Sequence, residues 1–162
     1  MAEFNAHPLL ITATVAVWDV GCPGACKHKS TEEWVTATHL VFPYRGVYVR
    51  YVGREETVAE ANQVLFFNED ELYRVSHPLE GGDCSLSIRI GAAALLELTP
   101  DDYLRAKGRP IFNRSRLRID ARTQALTERL RHGLDRGVIE TLEAESLEIG
   151  RASCRERVCL YV

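Results

Sequence analysis

"HLVFPYRGVYVRYVGREETVAEANQVLFFNEDELYRVSHPLEGGDCSLSIRI", from His39 to Ile90, decides the fold class of this chain. It breaks into short runs rich in Val, Tyr, Phe and Ile, which fit a pleated and half-buried surface. Pro43 to Gly46 marks a corner, because Pro removes a ladder donor and Gly permits a bend. Gly53-Arg54, between Val52 and Glu55, reads as a two-residue hairpin loop with Gly first. Ala61-Asn62 gives the next turn, and Asn68 to Glu71 another, since Asn68 and Asp70 can bond their own backbone. "LYRVSHP" is a strand stopped by Pro78, "LEGGD" a glycine turn, and "CSLSIRI" a returning strand with Leu86, Ile88 and Ile90 on one face. Between Val47 and Val52 two sets alternate, Val47, Val49 and Tyr51 against Tyr48, Arg50 and Val52. The charge on Arg50 predicts that the first set faces the core.

Working outward, "TATVAVWDV" from Thr12 to Val20 is a further strand, and Cys22 to Trp34 is a polar loop. About seven short strands, with turns every few residues and no room for βαβ crossovers, predict an antiparallel sandwich or barrel. After Ile90 the period changes. "GAAALLEL" and "PDDYLRAK" read as short helical pieces and "RSRLRID" as extended. Asp120 then caps a longer helix whose apolar row is Leu126, Leu130 and Leu134, with Gly137 at its end. "IETLEAESLE", Ile139 to Glu148, predicts a second helix, antiparallel to the first because the loop between them is very short. The expected fold is therefore mainly β then α: a barrel followed by a helical hairpin.

With 162 residues, 46% hydrophobic and 27% charged, the chain has the composition of one soluble domain. No apolar run approaches the roughly 18 residues of a membrane helix, and "MAEFNAHPLL" lacks the pattern of a signal peptide. A cytoplasmic protein with reduced thiols is expected; the five cysteines are odd in number and show no disulfide framework. The last fourteen residues hold three Arg and one Glu; taking that +2 from the overall −3 leaves −5 on the preceding 148. So acidic a body is a poor DNA binder by itself, and "NRSRLR", Asn113 to Arg118, reads as a solvated strand face.

Cys22, Cys26 and His28 are the cluster of ligand types, but C-x₃-C-x-H lacks the usual metal spacing, and the reading favoured is an ordinary loop. Cys84 or His39 are the residues that a fold could bring to it. A barrel mouth is where small ligands bind. Trp34, His39, Tyr48, Phe66, Tyr73 and His77 are the candidate ligand-binding residues, each with plain core packing as its alternative, as for Phe42 and Phe67. No nucleophile motif, Gly-rich phosphate loop or H-E-x-x-H is present, so no catalytic residue, metal or cofactor is expected.

The stretch from His39 to Ile90, with "VLFFN" followed by "YRVSHP", resembles the sensor domain of AraC-family transcriptional regulators. "RLRIDARTQALTERLRHGLDRGVIETLEAESLE", Arg116 to Glu148, resembles the helical segment that follows it, and the likeness runs from about Val15 to Glu148. It implies a cupin-like barrel over residues 1–112 that takes a small-molecule effector, and a helical segment over 113–148 that forms a homodimer, with Leu126, Leu130 and Leu134 at or behind the seam. DNA would be bound by a tandem helix-turn-helix module in the intact regulator. Two departures stand out. The H-x-H motif of metal-binding cupins is absent, and Asn68, Asp70 and Tyr73 stand at the Pro, Gly and His of their P-x-G-x-x-H motif, which disfavours a metal-dependent cupin enzyme. The helix-turn-helix half is also missing, so a fragment that senses and dimerises without touching DNA is expected. A free-standing cupin, either a metal-dependent enzyme or a small-molecule binding protein, is the alternative.

The last residues bear on that expectation. "IGRASCRERV", Ile149 to Val158, can be encoded as ATC GGA AGA GCG TCG TGT AGG GAA AGA GTG, which resembles one reading frame of a short-read sequencing adapter. Residues 149–162 are accordingly expected to be foreign, which removes Cys154 and Cys159 as a redox pair and Arg151, Arg155 and Arg157 as a DNA arm.

Overall fold

The computed structural model describes residues 4–25 and 27–139. Ten strands precede or flank two helices: β1 Asn5–Ile11, β2 Val15–Cys22, β3 Glu33–Trp34, β4 His39–Arg45, β5 Tyr48–Val52, β6 Glu55–Ala59, β7 Gln63–Phe67, β8 Leu72–Ser76, β9 Asp83–Ile90, α1 Ala92–Leu98, β10 Arg116–Arg118 and α2 Ala121–Asp135. A 3₁₀ turn, Asp101–Tyr103, lies between α1 and β10. Every pairing among these strands is antiparallel. They form two sheets rather than a closed barrel, one ordered β1-β2-β9-β4-β7-β10 and one β3-β8-β5-β6. No helix among the described residues is long and apolar enough to cross a membrane.

The turns fall where the sequence puts them. Gly53 has φ 57° and closes β5 onto β6, as a two-residue hairpin with Gly first requires. Pro43 is accommodated inside β4, beyond the residues that pair with β7, and the register against β9 shifts between Pro43 and Arg45. The corner itself is Gly46, at φ 74°. The first strand lies outside the sequence reading. Asn5–Ile11 holds Pro8 and alternates poorly, yet it pairs along β2 as an edge strand, where a missing donor costs little.

Alternation along the six-stranded sheet separates two apolar layers. Val15, Val17, Phe42, Val64, Phe66, Leu86, Ile88, Ile90 and Leu117 point to one side, where Leu95 of α1, Phe112 and Leu130 of α2 cover them. Val41, Leu65 and Phe67 point to the other side, against Tyr48 of the four-stranded sheet. The sheet is thus buried on both faces. That is why β7 is buried along its whole length and, after Gln63, is apolar without alternation.

The face assignment on β5 is a correction. Tyr48 and Arg50 are buried and Val49 and Tyr51 are only half-buried. Arg50 is 1% exposed. Its Nη1 donates to the Phe66 carbonyl at 2.8 Å, its guanidinium lies 3.8 Å from the centre of the Phe67 ring, and Nη2 donates to the Glu71 carboxylate. The cation is inside because an anion and an aromatic face replace its water. Burial lowers its proton affinity, and Glu71 opposes that most strongly.

Asp120 caps α2, accepting from the Thr123 amide at 2.7 Å, and that contact holds its carboxyl below the usual range. The helix ends at Gly137, φ 64°, with Gly137 N–H on the Leu134 carbonyl and Val138 N–H on that of Gly133, the bonds of a Schellman stop. Leu130 is 1% exposed within the core, so it packs inside the protomer; Leu134 packs partly against the same cluster, and Leu126 is half-buried. The predicted second helix falls from Glu140 onward outside the described residues, as does the tail.

Candidate functional site

A cavity of about 440 Å³ lies between the two sheets. Its walls follow from the same alternation. β9 turns Leu86, Ile88 and Ile90 toward the helices, which leaves Asp83, Ser85, Ser87 and Arg89 on the cavity. β2 likewise presents Trp18, Val20 and Cys22, and β4 presents His39 and Val41. The facing sheet contributes Tyr48, Tyr73 and Val75, with Trp34 of β3 at the rim, 72% exposed. The polar face of β9 therefore lines an interior.

Of the six predicted ligand-binding residues, Trp34, His39, Tyr48, Tyr73 and His77 line this cavity. Phe66 does not. It faces the helix side of β7 and stacks on Phe112, ring centroids 4.2 Å apart, while its neighbour Phe67 takes the cavity side. Sequence reasoning passed over Trp18, Ser85, Ser87 and Arg89; the signal available was the second face of "CSLSIRI", polar at every other position.

The wall is held by specific contacts. Tyr73 Oη donates to Glu33 Oε2 at 2.9 Å and sets its ring edge-on to Phe67, 5.2 Å between centroids. Burial, then Glu33, raises the Tyr73 phenol well above its ordinary range, and burial with Asp83 does the same for Tyr48. Both phenols remain neutral donors at physiological pH. His39 stacks on Phe67 at 5.0 Å, with Nδ1–H donating to the Ala37 carbonyl at 2.8 Å.

Burial, the largest cause, holds the His39 imidazole below the usual histidine range, and the charges of Arg50 and Arg89 add to it against the Ala37 bond. The folded state therefore takes up this proton less readily than the unfolded chain. Its contribution to stability is complete above the unfolded value of about 6.5 and is lost as pH falls through the folded value. The urea midpoint should drop below pH about 6.5, and His39→Phe should flatten that part of the profile. Identical slopes for the two proteins would show that His39 is solvated.

Three ligand-type side chains meet at one end. Cys22 and Asp83 are cross-strand partners on β2 and β9, and His77 follows β8. One ligand atom from each lies within 4.8 Å of the others. His77 Nε2 and Asp83 Oδ1 are 2.6 Å apart, both residues are buried, and His77 Nδ1 has no hydrogen-bond partner among the described residues. Burial raises the Asp83 carboxyl, and the bond to His77 opposes this. Cys22 thus has His77 and Asp83 beside it, whereas His28 is exposed and does not join the group; Cys26 lies outside the described residues. At the P-x-G-x-x-H positions, Asn68 brackets Phe112 through its amide, 2.7 Å to the backbone N–H and 3.1 Å to the carbonyl. Asp70 takes φ 63°, and Tyr73 lines the cavity.

No family model matches the chain, and no curated protein matches it. Solved structures do. The chain is similar to a cupin-superfamily protein of Desulfitobacterium hafniense DCB-2, with 15% identity, 55% of this chain and 78% of that one covered, and a TM-score of 0.45. It is similar to an RmlC-like cupin with a double-stranded β-helix from Methanocaldococcus jannaschii, with 6% identity, 56% and 83% covered and a TM-score of 0.47. It is also similar to the DMSP lyase DddQ of Ruegeria pomeroyi DSS-3, with 12% identity, 55% and 47% covered and a TM-score of 0.48.

Proposed function

We propose that this chain is the effector-sensing and dimerisation region of a bacterial transcription regulator of the AraC type. The sensor would work in the cytoplasm, hold a small-molecule effector between its sheets, and leave contact with DNA to other parts of the regulator. The observation that carries the sensor reading is the cavity of about 440 Å³, a volume suited to one small organic molecule, with aromatic walls and a few hydroxyl, imidazole and guanidinium groups. The resemblance carried by "VLFFN" and "YRVSHP" supports the regulator.

A route from cavity to helix supports it as well. Trp18 lines the cavity, and the next residue, Asp19, accepts from Tyr44 Oη at 2.7 Å and lies 3.7 Å from Arg131 of α2. Arg131 also sits over the Tyr44 ring, 4.2 Å from its centre. A ligand pressing on Trp18 would move the strand that α2 grips. Since Leu130 is taken up by the core, the dimer seam would fall to Leu126 and Leu134.

The chain has two tryptophans, Trp18 and Trp34, and both line the cavity. Sugars, aromatic acids and fatty acids titrated into the protein should include one that shifts tryptophan emission and raises the melting temperature. Ser87→Leu, which fills the cavity from β9, should remove both responses. A ligand that raises the melting temperature equally in Ser87→Leu would place binding elsewhere and sink the reading. The second reading is a free-standing cupin, and the convergence of Cys22, His77 and Asp83 favours its metal-dependent form.

A further inference from the structure

We propose that Cys22, His77 and Asp83 form a binding site for one divalent, zinc-class metal ion at the end of the cavity. The inference is independent of the regulator reading, since a sensor and an enzyme would carry such an ion alike. The donors to the ion are the Cys22 thiol and the His77 imidazole, which borderline ions such as zinc take, with the Asp83 carboxylate holding the imidazole; two protein ligands leave positions open to further ligands. They come from three separate places in the sequence, which is why spacing did not show them together. Cys22 and Asp83 face each other across the β2–β9 ladder, and all three residues line the cavity.

The second observation is the histidine itself. It is 2% exposed, and its Nδ1 has no hydrogen-bond partner among the described residues. In the neutral tautomer that gives Nε2–H to Asp83, Nδ1 is a bare lone pair in a buried position. Buried polar atoms are almost always satisfied, and an exception calls for a missing partner. A cation supplies that partner, and a carboxylate on the opposite nitrogen is the arrangement that fixes a metal-bound imidazole in its tautomer. Asp83 then orients the ring from Nε2.

Backbone packing holds the three residues in place. Gly24, Gly46 and Gly82 all have positive φ, and their backbones meet: a Cβ on Gly82 would lie 2.0 Å from the Cys22 carbonyl oxygen, and one on Gly46 would lie 2.1 Å from that of Gly82. The site therefore rests on interlocked backbone rather than on loose loop ends.

The full chain, reduced and stripped with chelator, should be titrated with Co²⁺ and then Zn²⁺. One Co²⁺ per chain should bind with a thiolate-to-cobalt charge-transfer band, and Zn²⁺ should displace it. Cys22→Ser should abolish the band, and Asp83→Asn and His77→Gln should each weaken zinc binding at least about tenfold, as loss of a ligand or of its orienting partner does. Far-ultraviolet circular dichroism of each variant separates loss of the site from loss of the fold; Cys22→Ser changes a single atom, and Asp83→Asn keeps the shape of the side chain. A band that persists in Cys22→Ser, unchanged zinc affinity in folded Asp83→Asn, or no binding to the wild-type chain would overturn the proposal. A metal result of either kind leaves the tryptophan-emission test of the effector cavity standing.

Discussion

Glu71→Ala should destabilise the protein by about 3–5 kcal/mol, the cost of leaving a buried charge without its partner. Arg50 is 1% exposed and Glu71 is its only carboxylate contact among the described ion pairs. Arg105 also approaches Glu71, at 3.9 Å, but from an exposed position where an ion pair contributes little. With Glu71 gone, the Phe66 carbonyl and the Phe67 ring remain, and neither neutralises the guanidinium. A loss of that size is a large share of the stability of a domain of this length, about 5–15 kcal/mol, and should appear as a large fall in the urea midpoint. The double variant Arg50→Met with Glu71→Leu should recover most of it, because the charge and its partner leave together. A single-variant loss under about 1 kcal/mol would mean that the pair behaves as a solvated one.

Arg50 also shows where reading the sequence stops. The strand was legible, since "VYVRYV" has β-rich composition and a Gly turn on each side. Its facing was not, because a charged residue defaults to solvent unless its partner is known, and Glu71 lies 21 residues away. Turn residues act locally, so the Gly53 hairpin and the Gly137 helix stop were readable. Phe66 and Phe67 were beyond reach for the opposite reason. In a strand buried on both faces, hydrophobicity no longer alternates, and nothing local says which ring meets a cavity and which meets a helix. The cavity's polar wall is the other face of "CSLSIRI", and the sequence left that face unassigned, since the facing sheet that covers it is set by long-range pairing alone. Cys22, His77 and Asp83 share that history: β2–β9 register joins two of them, and the glycine loops bring the third.

Those loops give the other large expected effect. Gly82→Ala should cost at least about 3 kcal/mol, while Gly81→Ala beside it should cost only about 1–2 kcal/mol. Both glycines have positive φ, 97° at Gly81 and 67° at Gly82, so an L-residue pays a left-handed penalty at either position. They differ in what a methyl group meets. At Gly81 no atom of the described residues lies within 4 Å of the added Cβ. At Gly82 the Cβ would lie 2.0 Å from the Cys22 carbonyl oxygen and 2.8 Å from the Pro23 carbonyl carbon, both backbone atoms that no rotamer change can move. Relief requires the Cys22–Pro23 backbone to withdraw, and it is held by the β2–β9 ladder that ends at the Cys22–Asp83 pair. Strain therefore passes directly into the end of the cavity where Cys22, His77 and Asp83 meet. Urea midpoints of the two variants, measured side by side, check the contrast. Equal losses would show that the loop yields freely and that the close approach of the three glycine backbones does not hold the site.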